Sequence, residues 1–205
     1  MRFHLVPILV LAAPQVASAQ LPPIPREQEI ELALSAAPPA VASGAGVYVY
    51  ADSGYVRARE STNGFTCLIN RDSFLAGYEV LKPTCWDAAG SATIVPQILF
   101  IGKRKAAGAN AQEVRAELQK LFDEGKLKYP EGSGIAYMLQ GDIAQYDVVT
   151  RKIVRRVFPP HLMLYAPGVT QSELGISMDS AMQDDRAPMI YSPDRRFSYI
   201  VVRVK

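Results

Sequence analysis

The chain has 205 residues, 49% hydrophobic and 20% charged, with 22 basic residues against 20 acidic ones and a mean hydropathy of +0.04. That balance excludes general intrinsic disorder, which combines low hydrophobicity with high net charge, and it excludes a global field that would steer nucleic acid. A chain of this length can bury a sizeable core without metal or several disulfide staples.

The N-terminus reads as a leader. Arg2 and His4 precede the apolar run Leu5 to Ala13, and Ala17-Ser18-Ala19 follows. A basic start, a short apolar stretch and an A-x-A site form the pattern of a secretory signal peptide, cleaved after residue 19. The run is too short to span a membrane, Pro7 and Pro14 would interrupt a buried helix, and no cysteine follows the cleavage site to carry a lipid. The expected organisation is a signal peptide over residues 1–19, an extended segment with a short helix over 20–45, and one α+β domain over 46–205. The expected location is secreted or periplasmic, with no transmembrane segment in the mature protein. Cleavage leaves His161 as the single histidine.

Pro22, Pro23 and Pro25 predict an extended entry. Arg26 to Ala37 predicts an amphipathic helix with Ile30, Ala33 and Leu34 inward, Glu27, Gln28 and Glu31 outward, and Pro38-Pro39 as its stop. Three β-rich runs, Gly46 to Tyr50, Tyr55 to Arg59 and Phe65 to Ile69, read as an antiparallel meander. Phe74 to Leu81 reads as a short irregular strand closed by Lys82-Pro83, with Cys85 in the loop beyond. Thr93 to Ala107 and Asn110 to Gly125 predict a helical hairpin. Thr93 is the N-cap of the first helix, while Asn110 with Glu113 makes a capping box for the second, whose inner face is Val114, Leu118, Leu121 and Phe122. Five further strands are expected at Ile135 to Leu139, Ala144 to Val149, Ile153 to Phe158, His161 to Tyr165 and Phe197 to Val204. Thr170 to Glu173 resembles another capping box, and Asp179 to Pro193 reads as a polar loop. Strands, a helical pair, then strands again predict an α+β fold, a mainly antiparallel sheet with a helical hairpin packed on one face. A parallel doubly wound sheet is the runner-up.

In an oxidising compartment, Cys67 and Cys85 predict a disulfide that contributes about 3 kcal/mol through loop closure. The enzymatic alternative pairs a cysteine nucleophile with His161 as base. Cys85-Trp86 lacks the glycine-rich run that precedes the nucleophile in papain-like proteases. His161 is the candidate catalytic residue, set against the plainer role of a hydrogen-bonded residue at a strand entrance. Carboxylate pairs stand at Asp123-Glu124, at Asp142 with Asp147 and at Asp184-Asp185. No metal site is expected, because the alternating oxygen ligands of a calcium loop and the four ligands of a zinc site are missing. No cofactor is expected either, since neither Gly102-Lys103 nor Gly132-Ser133-Gly134 has the context of a phosphate loop. Arg151-Lys152 with Arg155-Arg156 is a candidate contact for anionic envelope polymers. Lys103-Arg104-Lys105 suits a helix C-terminus. Tyr48, Tyr50 and Tyr55 are candidates for an aromatic platform, set against ordinary half-buried sheet tyrosines.

Gly64-Phe-Thr-Cys67, Cys85 followed by Asp87, Ala136-Tyr-Met-Leu139 and Pro159-Pro-His161 through Ala166-Pro167 together resemble a group of exported bacterial proteins of unknown function. The likeness runs from about Val47 to the C-terminus, with Trp86 standing where that group has a smaller aromatic. It implies an exported single domain and no particular activity. Together these readings favour a non-enzymatic binding domain for a small ligand, a peptide or an envelope or extracellular component, with no nucleic-acid partner. The alternative is a cell-envelope hydrolase using His161 with Cys67 or a serine nucleophile. A third reading is an assembly partner with an exposed sheet edge. The position of His161 relative to the largest cavity separates the first two.

Overall fold

The computed structural model describes residues 23–192 and 195–204, so the leader pattern lies outside the described residues. Pro25 leads into α1 (Arg26–Leu34), which buries Gln28, Glu29, Leu32 and Ala33, while Ile30 and Leu34 are only half-buried. The helix is turned relative to its apolar stripe because polar groups anchor it. The Glu29 carboxylate pairs with Arg71 at 3.3 Å and accepts the Tyr50 amide at 3.1 Å. Gln28, expected to face solvent, instead donates to the Val148 carbonyl. The single turn α2 (Pro39–Ala42) follows.

The strands β1 (Gly46–Ala51) and β2 (Gly54–Arg59) form the expected antiparallel hairpin. The third strand, β3 (Thr66–Asn70), departs from the meander: it lies beside β1 in parallel, paired through Gly46 with Thr66 and Val47 with Cys67. Burial accounts for the exchange. β3 is buried along nearly its whole length and takes the interior place, while β2 carries Arg57 and Arg59, which suit an edge. Residues Asp72–Ala76 form a 3-10 turn where a strand was expected. Lys82-Pro83 opens a central strand, β4 (Lys82–Trp86), instead of closing one. Pro83 is paired with Ile69 of β3, and it is tolerated there because β5 pairs with β4 only at Cys85 and Trp86, so no partner on the β5 side needs its missing N–H.

The helical hairpin is preceded by a turn missed in the sequence, α3 (Ala88–Thr93), whose N-cap Asp87 accepts the Gly90 amide at 2.9 Å; Thr93 ends this turn, and the next helix starts after Ile94 with no side-chain cap. The two long helices are α4 (Val95–Ala106) and α5 (Ala111–Asp123), the latter opened by the Asn110–Glu113 capping box. α4 seats on the first hairpin through Gly102, where a Cβ would come within 2.4 Å of the Tyr55 ring, and the Tyr50 hydroxyl donates to its carbonyl. Then come β5 (Ile135–Met138), β6 (Asp142–Asp147), β7 (Lys152–Phe158) and β8 (His161–Tyr165). The polar loop contains α6 (Met178–Gln183) and β9 (Met189–Tyr191), and β10 (Tyr199–Arg203) ends the fold.

Eight strands make one sheet in the order β2-β1-β3-β4-β5-β8-β10-β9, antiparallel at every step except β1–β3, and β6–β7 form a separate ribbon. This is the α+β fold, mainly antiparallel, with the α4–α5 hairpin over one face. Alternation along the strands sorts the core. Cys67, Ile69 and Cys85 pack on the α1 side with Val47 and Val49. Leu68, Trp86, Met138, Met163, Tyr199 and Val201 face the hairpin.

Candidate functional site

The space beneath the hairpin is not filled. A cavity of about 780 Å³ separates the sheet from α4 and α5, within the roughly 300–1,000 Å³ of small-molecule sites. Thr84, Trp86, Met138, Met163 and Met189 line it from the sheet, and Ile94, Ile98, Leu118 and Phe122 from the helices. Methionines suit such a wall, since an unbranched thioether adapts to an irregular shape.

One end of this apolar chamber is polar, and the topology puts it there. β4 and β8 both run antiparallel to β5 and therefore parallel to each other, so their first residues, Lys82 and His161, lie at the same end. Asn70 is the register partner of Lys82, and two residues further on the 3-10 turn supplies Asp72. Met138 is the partner of His161, and the chain beyond it delivers Asp142. All four charged or titratable side chains line the cavity. Tyr191, on the edge strand β9, feels the charges of Lys82, Asp72 and Asp142. The sheet thus curls around the cavity and carries its far edge towards β4.

The electrostatics follow from these neighbours. Lys82 forms an ion pair with Asp72. Burial works against its ammonium, but Asp72, with smaller help from Tyr191 and Asp142, outweighs burial and raises its pKa. Asp142 has no such partner among the described residues, and its Oδ1 is buried without a hydrogen bond. Burial pushes its pKa up to about 6, opposed by Lys82 and assisted by Asp72. His161 is 4% exposed, and its Nδ1 donates to the Pro159 carbonyl at 2.8 Å. A carbonyl only accepts, so the neutral ring carries its proton on Nδ1 and leaves Nε2 as an acceptor. Burial lowers the His161 pKa, against the Pro159 hydrogen bond and with the help of Lys82. Trp86 is 3% exposed, and its indole N–H has no acceptor among the described residues.

His161 therefore lines this cavity, yet no serine or carboxylate is hydrogen-bonded to its ring among the described residues. Cys67 and Cys85 are joined to each other as a directly opposed β3–β4 pair, on the face of the sheet away from His161. The cysteine–histidine pairing considered from the sequence is not formed. Of the carboxylate pairs, Asp142 and Asp147 sit at opposite ends of β6, where Asp147 accepts the Val149 and Thr150 amides. Asp142 meets Asp72 and Lys82 instead. Asp184 pairs with Arg186 and Asp185 with Arg203, while Asp123 and Glu124 close α5. No cluster of three or more metal-capable side chains exists among the described residues. Tyr50 and Tyr55 meet edge to face at 5.1 Å and hold α4 and Ile69 through their hydroxyls, and Tyr48 accepts from Arg57, so these rings are structural rather than a free platform. Arg151, Lys152, Arg155 and Arg156 lie on the exposed ribbon, away from the cavity.

Lys82 and Asp72 were missed in the sequence because Lys82-Pro83 looked like a strand stop. The available signal was the spacing Lys82-x-Thr84-x-Trp86, which puts all three on one strand face. Comparison with protein-family models, curated proteins and solved structures finds no match to this chain.

Proposed function

We propose that the protein is an exported, non-enzymatic binding domain that takes a small, mainly apolar ligand into the cavity between the sheet and the helical hairpin. The observation that carries this reading is a chamber of about 780 Å³ with methionine, aromatic and aliphatic walls and one polar end. Among the ligands considered from the sequence, a small molecule suits an internal chamber better than a peptide or an extended polymer. The leader pattern and the disulfide support export, and no helix among the described residues is long and apolar enough to cross a membrane. A hydrolase would need a nucleophile hydrogen-bonded to His161, and none is in place among the described residues.

Thr84 lines the middle of the β4 wall and is 1% exposed. Decanol, a neutral apolar probe, is expected to raise the melting temperature of the protein, because a ligand that binds only the folded state stabilises it. Thr84→Phe, which puts a bulky ring across the middle of the chamber, is expected to abolish that shift while leaving the circular dichroism spectrum unchanged. No shift with the parent protein, or an equal shift in a folded Thr84→Phe variant, would overturn the assignment.

A further inference from the structure

The polar end of the cavity is unbalanced. Two carboxylates, Asp72 and Asp142, face one ammonium, Lys82, and that ammonium is committed to Asp72. His161 is held neutral by burial and offers only the Nε2 lone pair. Arg115, the other cation on the lining, is exposed on α5 and donates to the Leu75 carbonyl. Among the described residues, what remains unpaired at this end is therefore an acceptor set, the half-buried Asp142 carboxylate with its buried Oδ1 and the His161 Nε2. A buried carboxylate without a donor is costly, and a ligand that supplies a charged donor removes that cost.

The opposite need arises further along the same wall. Trp86 is almost wholly buried in the lining, and its N–H has no acceptor among the described residues. Lys82 and Trp86 are four residues apart on one strand face, a separation of about 13 Å at roughly 3.3 Å per residue. Apolar side chains, Met138, Met163 and Phe158 among them, line the same cavity.

We infer that the ligand is an elongated amphiphilic cation, a protonated amine whose ammonium group is held by Asp142 and His161 while its apolar body lies along β4 towards Trp86. This rests on the cavity being a binding site, and it names the head group that site selects. A fatty acid would set a third carboxylate against Asp72 and Asp142. An alcohol would satisfy one acceptor but leave the charge uncompensated.

The test compares decylamine, decanol and decanoate, three probes with one chain and different heads, by isothermal titration calorimetry at about pH 8, where the amine is protonated and Asp142 ionised. Decylamine is expected to bind about tenfold more tightly than decanol, the gain of a charge-assisted hydrogen bond over a neutral one, with decanoate weakest. Asp142→Asn is expected to erase the preference for the amine while leaving decanol binding in place. The ranking on the parent protein stands as a test even if that variant does not fold. Equal binding of all three, or decanoate matching decylamine, would overturn the cationic head while leaving the apolar cavity assigned. Binding of none would overturn both.

Discussion

Asp142 ties the chemistry of the cavity to something measurable without a ligand. Its pKa in the folded protein is about 6 against an ordinary 3.8, chiefly because of burial. A raised carboxylate favours the protonated form in the fold, so its contribution to stability is full below the unfolded pKa and is lost as pH rises through the folded one. At neutral pH the ionised group costs about 2 kcal/mol, somewhat less than the bare shift implies because the site is partly open to solvent. Asp142→Asn is therefore predicted to be more stable than the parent at about pH 8, with the difference closing near pH 4, as read from urea unfolding at the two pH values. An Asn variant less stable at both values would contradict the account of this residue. His161 works in the opposite sense, since its lowered pKa makes acidification costly, but it is common to both proteins and cancels in the comparison. Neither the half-buried Asp142 nor the buried Glu29 was legible as an acid withdrawn from solvent. Glu29 sits in a stretch of good helix formers beside Gln28, read as outward, and only the distant Arg71 and the Tyr50 amide make its burial tolerable. Such pairings depend on tertiary neighbours that no local pattern encodes.

At the scale of elements, the signals that survived were those with a local cause. The α5 capping box is four residues of self-contained hydrogen bonding, and it stands where the residues put it. The strand at His161–Tyr165 was read to the residue, because alternation and the preceding prolines agree. The failures are equally specific. β3 was placed outside β2 because sequence adjacency favours a meander, while the extent of its burial decides for the interior position. Lys82-Pro83 was read as a stop because proline is rare inside sheets, yet the short pairing with β5 leaves Pro83 no obligation to donate. β9 is only three residues long and was lost in a polar loop. The disulfide belongs to this scale, since it clips β3 to β4 beneath α1 at a Cα separation of 4.0 Å. Breaking it by the double substitution Cys67→Ser with Cys85→Ser is predicted to cost about 3 kcal/mol in denaturant unfolding. A change well under about 1 kcal/mol would show that the bridge does not restrain the unfolded chain as supposed.

For the molecule as a whole, the fold class and the helical hairpin could be read from the sequence, but the cavity could not. A chamber is space left between layers, set by how far α4 and α5 stand from a curled sheet, and residue type alone does not report it. Trp86, Met138 and Met163 belong to the apolar cluster between sheet and hairpin and at the same time form the cavity wall. His161 and Asp142 were both singled out in advance and both reach the site, His161 as a lone acceptor rather than as half of a nucleophile–base pair and Asp142 without Asp147.

Trp86 is the single tryptophan of the chain and part of the cavity lining, so its emission reports occupancy directly. Titrating the protein with decylamine while following tryptophan fluorescence is predicted to give a saturable change with one ligand bound per chain, absent in Thr84→Phe. An emission spectrum that stays unchanged to the solubility limit of the ligand, or a change that persists in a folded Thr84→Phe variant, would contradict the claim that this chamber is a binding site.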